Sequence, residues 1–90
     1  MARKIALIIT QGCPRCEYVR HTVYDKIAER CKGQTFVVNG SYAREFVKKY
    51  GIKHAPAILF LNGDKKEGLT YHEMDVDKIV KWLWDGRYHQ

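Results

Sequence analysis

Cys13-Pro14-Arg15-Cys16 places two thiols either side of two residues, directly after the apolar run Ile5-Ala6-Leu7-Ile8-Ile9-Thr10 and directly before a long segment with helical periodicity. Thiolate is the nucleophilic form of cysteine, and the free N–H groups and positive dipole end of a helix stabilise it. Cys13, at the N-cap position, is therefore expected to have a depressed pKa and to act as a nucleophile. Cys16 lies one turn further in, close enough to close a disulfide with it. Pro14 suits the first helical position, where its missing N–H is not needed, and its fixed φ stiffens the turn between the sulfurs. Arg15 carries a permanent positive charge between the two thiols, which should favour the thiolate and stabilise the reduced form. Chemistry of this kind is redox exchange between a dithiol and a disulfide.

The remaining reactive residues fit less well into a site. Cys31 lies further along the same predicted helix, about 22 Å from Cys16. It cannot resolve a disulfide formed there. Nor can it complete a zinc site with Cys13 and Cys16, whose ligands would have to converge within ~2.3 Å of one ion, so no metal is expected. Cys31 reads as a buried structural thiol. Its presence makes the cysteine count 3, an odd number that fits a catalytic pair plus a spare thiol in a reducing compartment. His54 precedes Ala55-Pro56 and is the one histidine placed to face the dithiol or its substrate. His21, His72 and His89 form no recognisable constellation.

A chain of 90 residues with 46% hydrophobic content suffices for one domain with one core. The formal net charge of +6 is distributed through Arg3-Lys4, Lys48-Lys49 and Lys65-Lys66 rather than gathered in a tail. That pattern is a solvated basic surface able to attract acidic proteins. Nucleic-acid binding is not expected, because the basic residues do not interleave with aromatics in a recognisable module. Arg3 and Lys4 are followed by five apolar residues before Thr10, too few for a secretory leader or a membrane span. A soluble, cytoplasmic and monomeric protein is the expectation.

The elements that would position the dithiol follow from periodicity and turn residues. Lys4 to Thr10 reads as a central strand buried on both faces. From Pro14 to Cys31 the residues Val19, Val23, Ile27 and Cys31 recur at helical spacing, and Gly33 provides the stop. Thr35 to Val38 predicts a short strand, and Ser41 an N-cap for a second helix carrying Ala43, Phe46, Val47 and Tyr50, ended by Gly51. Ala57 to Leu61 predicts another strand, followed by the hairpin signal Asn62-Gly63 and a return strand around Leu69 to His72. A last helix starts at Asp75 or Asp77 and presents Val76, Ile79, Val80 and Leu83, with Trp82 and Trp84 anchoring it to the sheet. The order is βαβαββα. A helical crossover implies a parallel pair and a tight hairpin an antiparallel one, giving a mixed α/β sheet of four strands flanked by three helices.

With its CxxC after the first strand, and Tyr50-Gly51-Ile52-Lys53-His54-Ala55-Pro56-Ala57 leading to Phe60-Leu61-Asn62-Gly63-Asp64, the chain resembles the thioredoxin superfamily over nearly its whole length. The short start and the proline directly after Cys13 resemble glutaredoxins, and the second half resembles thioredoxin. The resemblance implies a thioredoxin fold, a cis peptide bond at Pro56, packing of that proline against the Cys13-Cys16 disulfide, and pairing of the Ala55 backbone with an extended substrate segment. It implies a thiol–disulfide oxidoreductase that reduces protein disulfides, with no bound cofactor beyond the redox-active disulfide. Glutathione or a thioredoxin reductase would supply electrons. The alternatives are a glutathione-dependent glutaredoxin acting on mixed disulfides and a non-catalytic binding module. The chain departs from glutaredoxins in carrying His54-Ala55-Pro56 and Glu73-Met74-Asp75 at the glutathione-recognition segments, and from thioredoxins in lacking an acid on the strand before the CxxC and a tryptophan beside it.

Overall fold

The structure, a computed structural model, describes residues 3–71 and 75–85. Four strands, β1 (Arg3–Ile8), β2 (Thr35–Val38), β3 (Ala57–Asn62) and β4 (Lys65–Thr70), form one sheet in the order β2-β1-β3-β4. The pair β1·β2 is parallel, whereas β1·β3 and β3·β4 are antiparallel. These are the parallel crossover and the antiparallel hairpin that the sequence implied. Three helical segments flank the sheet: α1 over residues 14–30, α2 (Gly40–Tyr50) and α3 (Val76–Asp85).

Alternation along the strands sorts the apolar residues into two cores, because successive side chains of a strand point to opposite faces. Ile5 and Leu7 of β1 and Ile58 and Phe60 of β3 pack with Cys16, Val19, Val23 and Ile27 of α1 and with Ile79, Val80 and Leu83 of α3. Ala6, Ile8, Leu59 and Leu61 face the other way, toward Ala43 and Tyr50 of α2. The first two helices thus lie on opposite faces of the sheet. Both faces of β1 are buried from Ile5 to Ile8, as the continuous apolar run required.

α1 is not a uniform helix. Its α-helical stretches Pro14–Val19 and Asp25–Arg30 are joined by a π-helical stretch, Arg20–Tyr24, in which the Arg20 carbonyl accepts from the Asp25 N–H. The apolar stripe Val19, Val23, Ile27, Cys31 has a strict spacing of four, which drifts about 40° per step on an ideal α-helix. A wider turn absorbs part of that drift and keeps the stripe on the sheet. The Thr22 hydroxyl donates to the Tyr18 carbonyl at 2.6 Å in the same stretch.

Three further elements differ from the sequence reading. α2 begins at Gly40 with Asn39 as its N-cap, so Ser41 lies inside the first turn. The hairpin returns at once, with Asn62 opposite Lys65, and β4 therefore starts in the charged segment Lys65-Lys66-Glu67, ahead of Leu69, where the apolar pattern places the return strand. This is an edge strand with a solvated start, which carries no apolar signal. Of the two tryptophans, Trp82 is buried and stacks on Phe60 with ring centroids 5.0 Å apart, but Trp84 is 66% exposed. Residues two apart on a helix face different ways, so only one of them can anchor it. The start of the last helix is capped by Asp75, whose Oδ1 accepts the N–H groups of Asp77 and Lys78. His72 and the segment Glu73-Met74 lie outside the described residues.

Gly68 answers a packing requirement. It sits opposite Phe60 beside a β-bulge, and a Cβ built there would lie 2.9 Å from Cδ2 of the Phe60 ring. Phe60 is itself fixed against Trp82, so the ring has little room to yield. Gly68→Ala is expected to destabilise the fold by about 1–3 kcal/mol, the ordinary cost of overpacking, and to perturb the near-UV signal of Trp82. Urea unfolding of the two proteins measures it.

Candidate active site

Cys13 occupies the N-cap of α1 in extended conformation (φ −111°, ψ 103°), and its Sγ accepts the backbone N–H of Cys16 at 3.1 Å. A main-chain donor of the first helical turn therefore points at the sulfur, where it stabilises negative charge. The Cys13 carbonyl accepts the Glu17 N–H, and Pro14 opens the helix as its first residue. Cys13 and Cys16 form a disulfide with Cα atoms 5.2 Å apart. Both Pro14 and Arg15 are exposed.

The two sulfurs differ in access. Cys13 is half-buried at the edge of the first core, whereas Cys16 is fully buried within it. An external disulfide can reach only the first. Cys31, the third thiol, is buried at the C-terminal end of α1 and free. Burial raises its pKa above the ordinary thiol value, a rise the Arg30 guanidinium partly opposes. Among the described residues no cluster of three or more metal-ligating side chains occurs.

The Ala55-Pro56 peptide bond is cis, as the resemblance implied. Pro56 is buried and leads into β3, whose first residue, Ala57, pairs with Ile8 at the end of β1. This register brings the loop at residues 51–56 beside the connection that carries the dithiol. Ala55 and Cys13 are both partly buried against the same core. His54 is exposed, and its ring lies on that of Tyr71 with centroids 4.0 Å apart.

That loop is fastened at several points. Gly51 adopts the left-handed conformation that closes α2 (φ 68°), and the Ile52 N–H returns to the Val47 carbonyl at 3.1 Å. The Tyr50 hydroxyl donates to the Asp64 carbonyl, and Lys66 Nζ donates to the Tyr50 carbonyl. The Lys53 N–H donates to the Tyr71 hydroxyl at 2.7 Å. Tyr71 thus holds the loop twice, by its hydroxyl and by its ring, and no local pattern signals it because the contact spans 18 residues. Tyr71→Phe keeps the ring and removes the acceptor. The expected cost is about 1 kcal/mol, with faster hydrogen exchange of the Lys53 amide, read by NMR.

Dithiol–disulfide exchange needs an accessible sulfur held as thiolate, a second sulfur within bonding reach, and room for an incoming chain. Cys13 supplies a half-buried sulfur facing a main-chain N–H, and Cys16 a second sulfur bonded to it. In sequence, no family model and no curated protein matches the chain. In structure it is similar to thioredoxin-2 of the malaria parasite, described as a component of that parasite's protein secretion machinery (TM-score 0.71, 13% identity, covering 93% of this chain and 82% of that one). It is also similar to thioredoxin f from spinach chloroplast, in its short form (TM-score 0.69, 20% identity, 92% and 74% covered). A third similar structure is thioredoxin 1 from Thermosipho africanus (TM-score 0.69, 11% identity, 92% of each chain covered). At such identities the likeness is one of architecture, and by that architecture the chain has the thioredoxin fold, with a CxxC disulfide closed at the start of its first helix.

Proposed function

We propose that the protein is a thiol–disulfide oxidoreductase that reduces disulfides of other proteins. The observation that carries this reading is the asymmetry of the pair: a half-exposed Cys13 sulfur facing the Cys16 N–H, and a Cys16 sulfur enclosed behind it. The Cys13 thiolate attacks one sulfur of the partner disulfide, the partner S–S bond breaks, and a mixed disulfide forms while the first partner thiolate leaves and takes up a proton. Cys16 then loses its proton and attacks the Cys13 sulfur. The Cys13–Cys16 bond forms and the second partner thiol is released. The partner gains two electrons from the protein and two protons, of which Cys16 releases one and solvent supplies the other, since the Cys13 thiolate carries none.

The strand ahead of the site contributes no carboxylate, since Ile5 to Ile9 are apolar and buried. Water reaching the half-open site serves as proton acceptor for Cys16. The exposed Arg15 favours the thiolate and with it the reduced form, and the Ala55 backbone, on the loop packed against the same core as Cys13, offers an edge to an extended partner segment. A reducing compartment such as the cytoplasm suits this direction of electron flow, with a reductase or glutathione restoring the dithiol and the protein acting as a monomer.

The test is turnover of two substrates: insulin, with dithiothreitol as terminal reductant, and a peptide–glutathione mixed disulfide, with glutathione. Acceleration of insulin reduction by at least about tenfold over dithiothreitol alone is expected. Activity confined to the glutathione adduct would make the protein a glutaredoxin instead. Activity on neither would leave a binding module and overturn the proposal.

A further inference from the structure

Beside the dithiol lies a cleft of about 770 Å³, within the size range of ligand-binding sites. Its position follows from the topology. The parallel strands β1 and β2 end side by side at Ile8 and Val38, but the chain leaves β1 toward α1 on one face and leaves β2 toward α2 on the other. Connections that diverge from neighbouring parallel strands open a crevice outside the strand ends. Ile9, Ala43 and Val47 give that crevice an apolar floor, and Gly12, adjacent to Cys13, forms part of its wall.

The charged lining is predominantly basic, beside the neutral Thr10, Gln11 and Asn39. Arg20 reaches it from α1, and Arg44 and Lys48, one turn apart, reach it from α2. Among the described residues none of these three cations makes an ion pair. The single carboxylate in the lining, Glu17, lies 3.3 Å from His21 Nε2. Glu17 follows Cys13 by one helical turn and so marks the end of the cleft nearer the sulfur. On α2 the unpaired charge of Arg44 and Lys48 spans about 6 Å along the helix axis. About two residues of extended chain cover that distance.

From this we infer that the cleft receives an acidic segment of the protein substrate, with carboxylates about two residues apart on the chain that carries the cysteine Cys13 attacks. The inference rests on the oxidoreductase reading and adds a substrate class to it. Charge complementarity with Arg20, Arg44 and Lys48 selects the acidic residues, and the apolar floor accepts the chain between them. Glu17 disfavours a carboxylate immediately next to the reacting cysteine. This surface is separate from the Ala55-Pro56 edge: one lies beside the β2 side of β1, the other beside its β3 side.

The experiment compares disulfide-linked peptides that are identical except for two residues, placed two and four positions from the reacting cysteine, as glutamate, glutamine or lysine. The kcat/KM for their reduction is expected to favour the glutamate peptide over the glutamine peptide by about five- to tenfold at low ionic strength, and the advantage should shrink toward unity in 0.5 M salt, taken as about 0.5 M sodium chloride. In the Arg44→Glu, Lys48→Glu variant the order should reverse in favour of the lysine peptide. Both replaced side chains are exposed, and the salt dependence of the wild-type protein decides the matter if the variant does not fold. Equal rates on all three peptides would overturn the acidic-segment assignment while leaving the oxidoreductase reading intact. Equal rates with uniform inhibition by succinate would overturn it in favour of a small dicarboxylate. Reduction of none of the peptides would remove the oxidoreductase reading, and this inference with it.

Discussion

Cys13→Ser is expected to lower the rate of protein-disulfide reduction by at least about a thousandfold, because no other described thiol can reach an external disulfide. Cys16 is enclosed in the core, and Cys31 is buried at the far end of α1 with its thiol held neutral. Cys16→Ser is expected to fail differently. Its Cys13 still attacks, but nothing resolves the product, so the variant accumulates as a covalent adduct with its substrate, visible by mass spectrometry under non-reducing conditions. Loss of turnover in both variants with adduct in only the second is the pattern that distinguishes nucleophile from resolving cysteine. An adduct on Cys13→Ser, or full turnover by Cys16→Ser on protein disulfides, would reverse or cancel the roles assigned here.

The second large effect concerns stability. Trp82 is buried and stacked on Phe60, which in turn covers Gly68, so the ring closes the core between α3 and the sheet. Trp82→Ala removes a large side chain from a site whose neighbours are fixed, and is expected to cost about 3–5 kcal/mol. For a domain of this size that is a large part of the folding free energy, which amounts to roughly 5–15 kcal/mol. Trp84→Ala, two residues away on the exposed face, is expected to change stability by less than about 0.5 kcal/mol. Urea denaturation followed by far-UV circular dichroism compares the two. Equal effects would mean that α3 is not docked through Trp82.

The contrast between these tryptophans shows what the sequence could and could not supply. Where burial imposes a pattern on consecutive residues, the pattern was readable: the unbroken apolar run of β1, the helical stripe of α1, the β-branched strand Thr35–Val38 and the Gly51 stop all stand where they were expected. The dithiol was readable because its chemistry requires fixed residue types at fixed spacing before a helix. The cis bond before Pro56 came from resemblance rather than from any local rule.

What escaped depends on partners distant in the chain or on backbone adjustments that residue types do not encode. The charged start of β4 is strand only because β3 pairs with it. The π-helical stretch of α1 answers a drift in its apolar stripe that is visible only when the stripe must meet a flat sheet. Tyr71 matters through a hydrogen bond to Lys53, and the cations of the cleft come from two separate helices. None of these juxtapositions exists until the sheet has formed.

The central claim is that Cys13 and Cys16 form a reducing dithiol. Its most direct test is the reduction potential of the pair, obtained by equilibrating the protein in graded glutathione buffers, trapping the thiols and weighing the species by mass spectrometry. The account predicts a two-electron couple at about −200 to −270 mV, the range of reductants with this chemistry, with Cys31 reduced throughout. A potential near about −120 mV would mark an oxidant and contradict the proposed direction of electron flow.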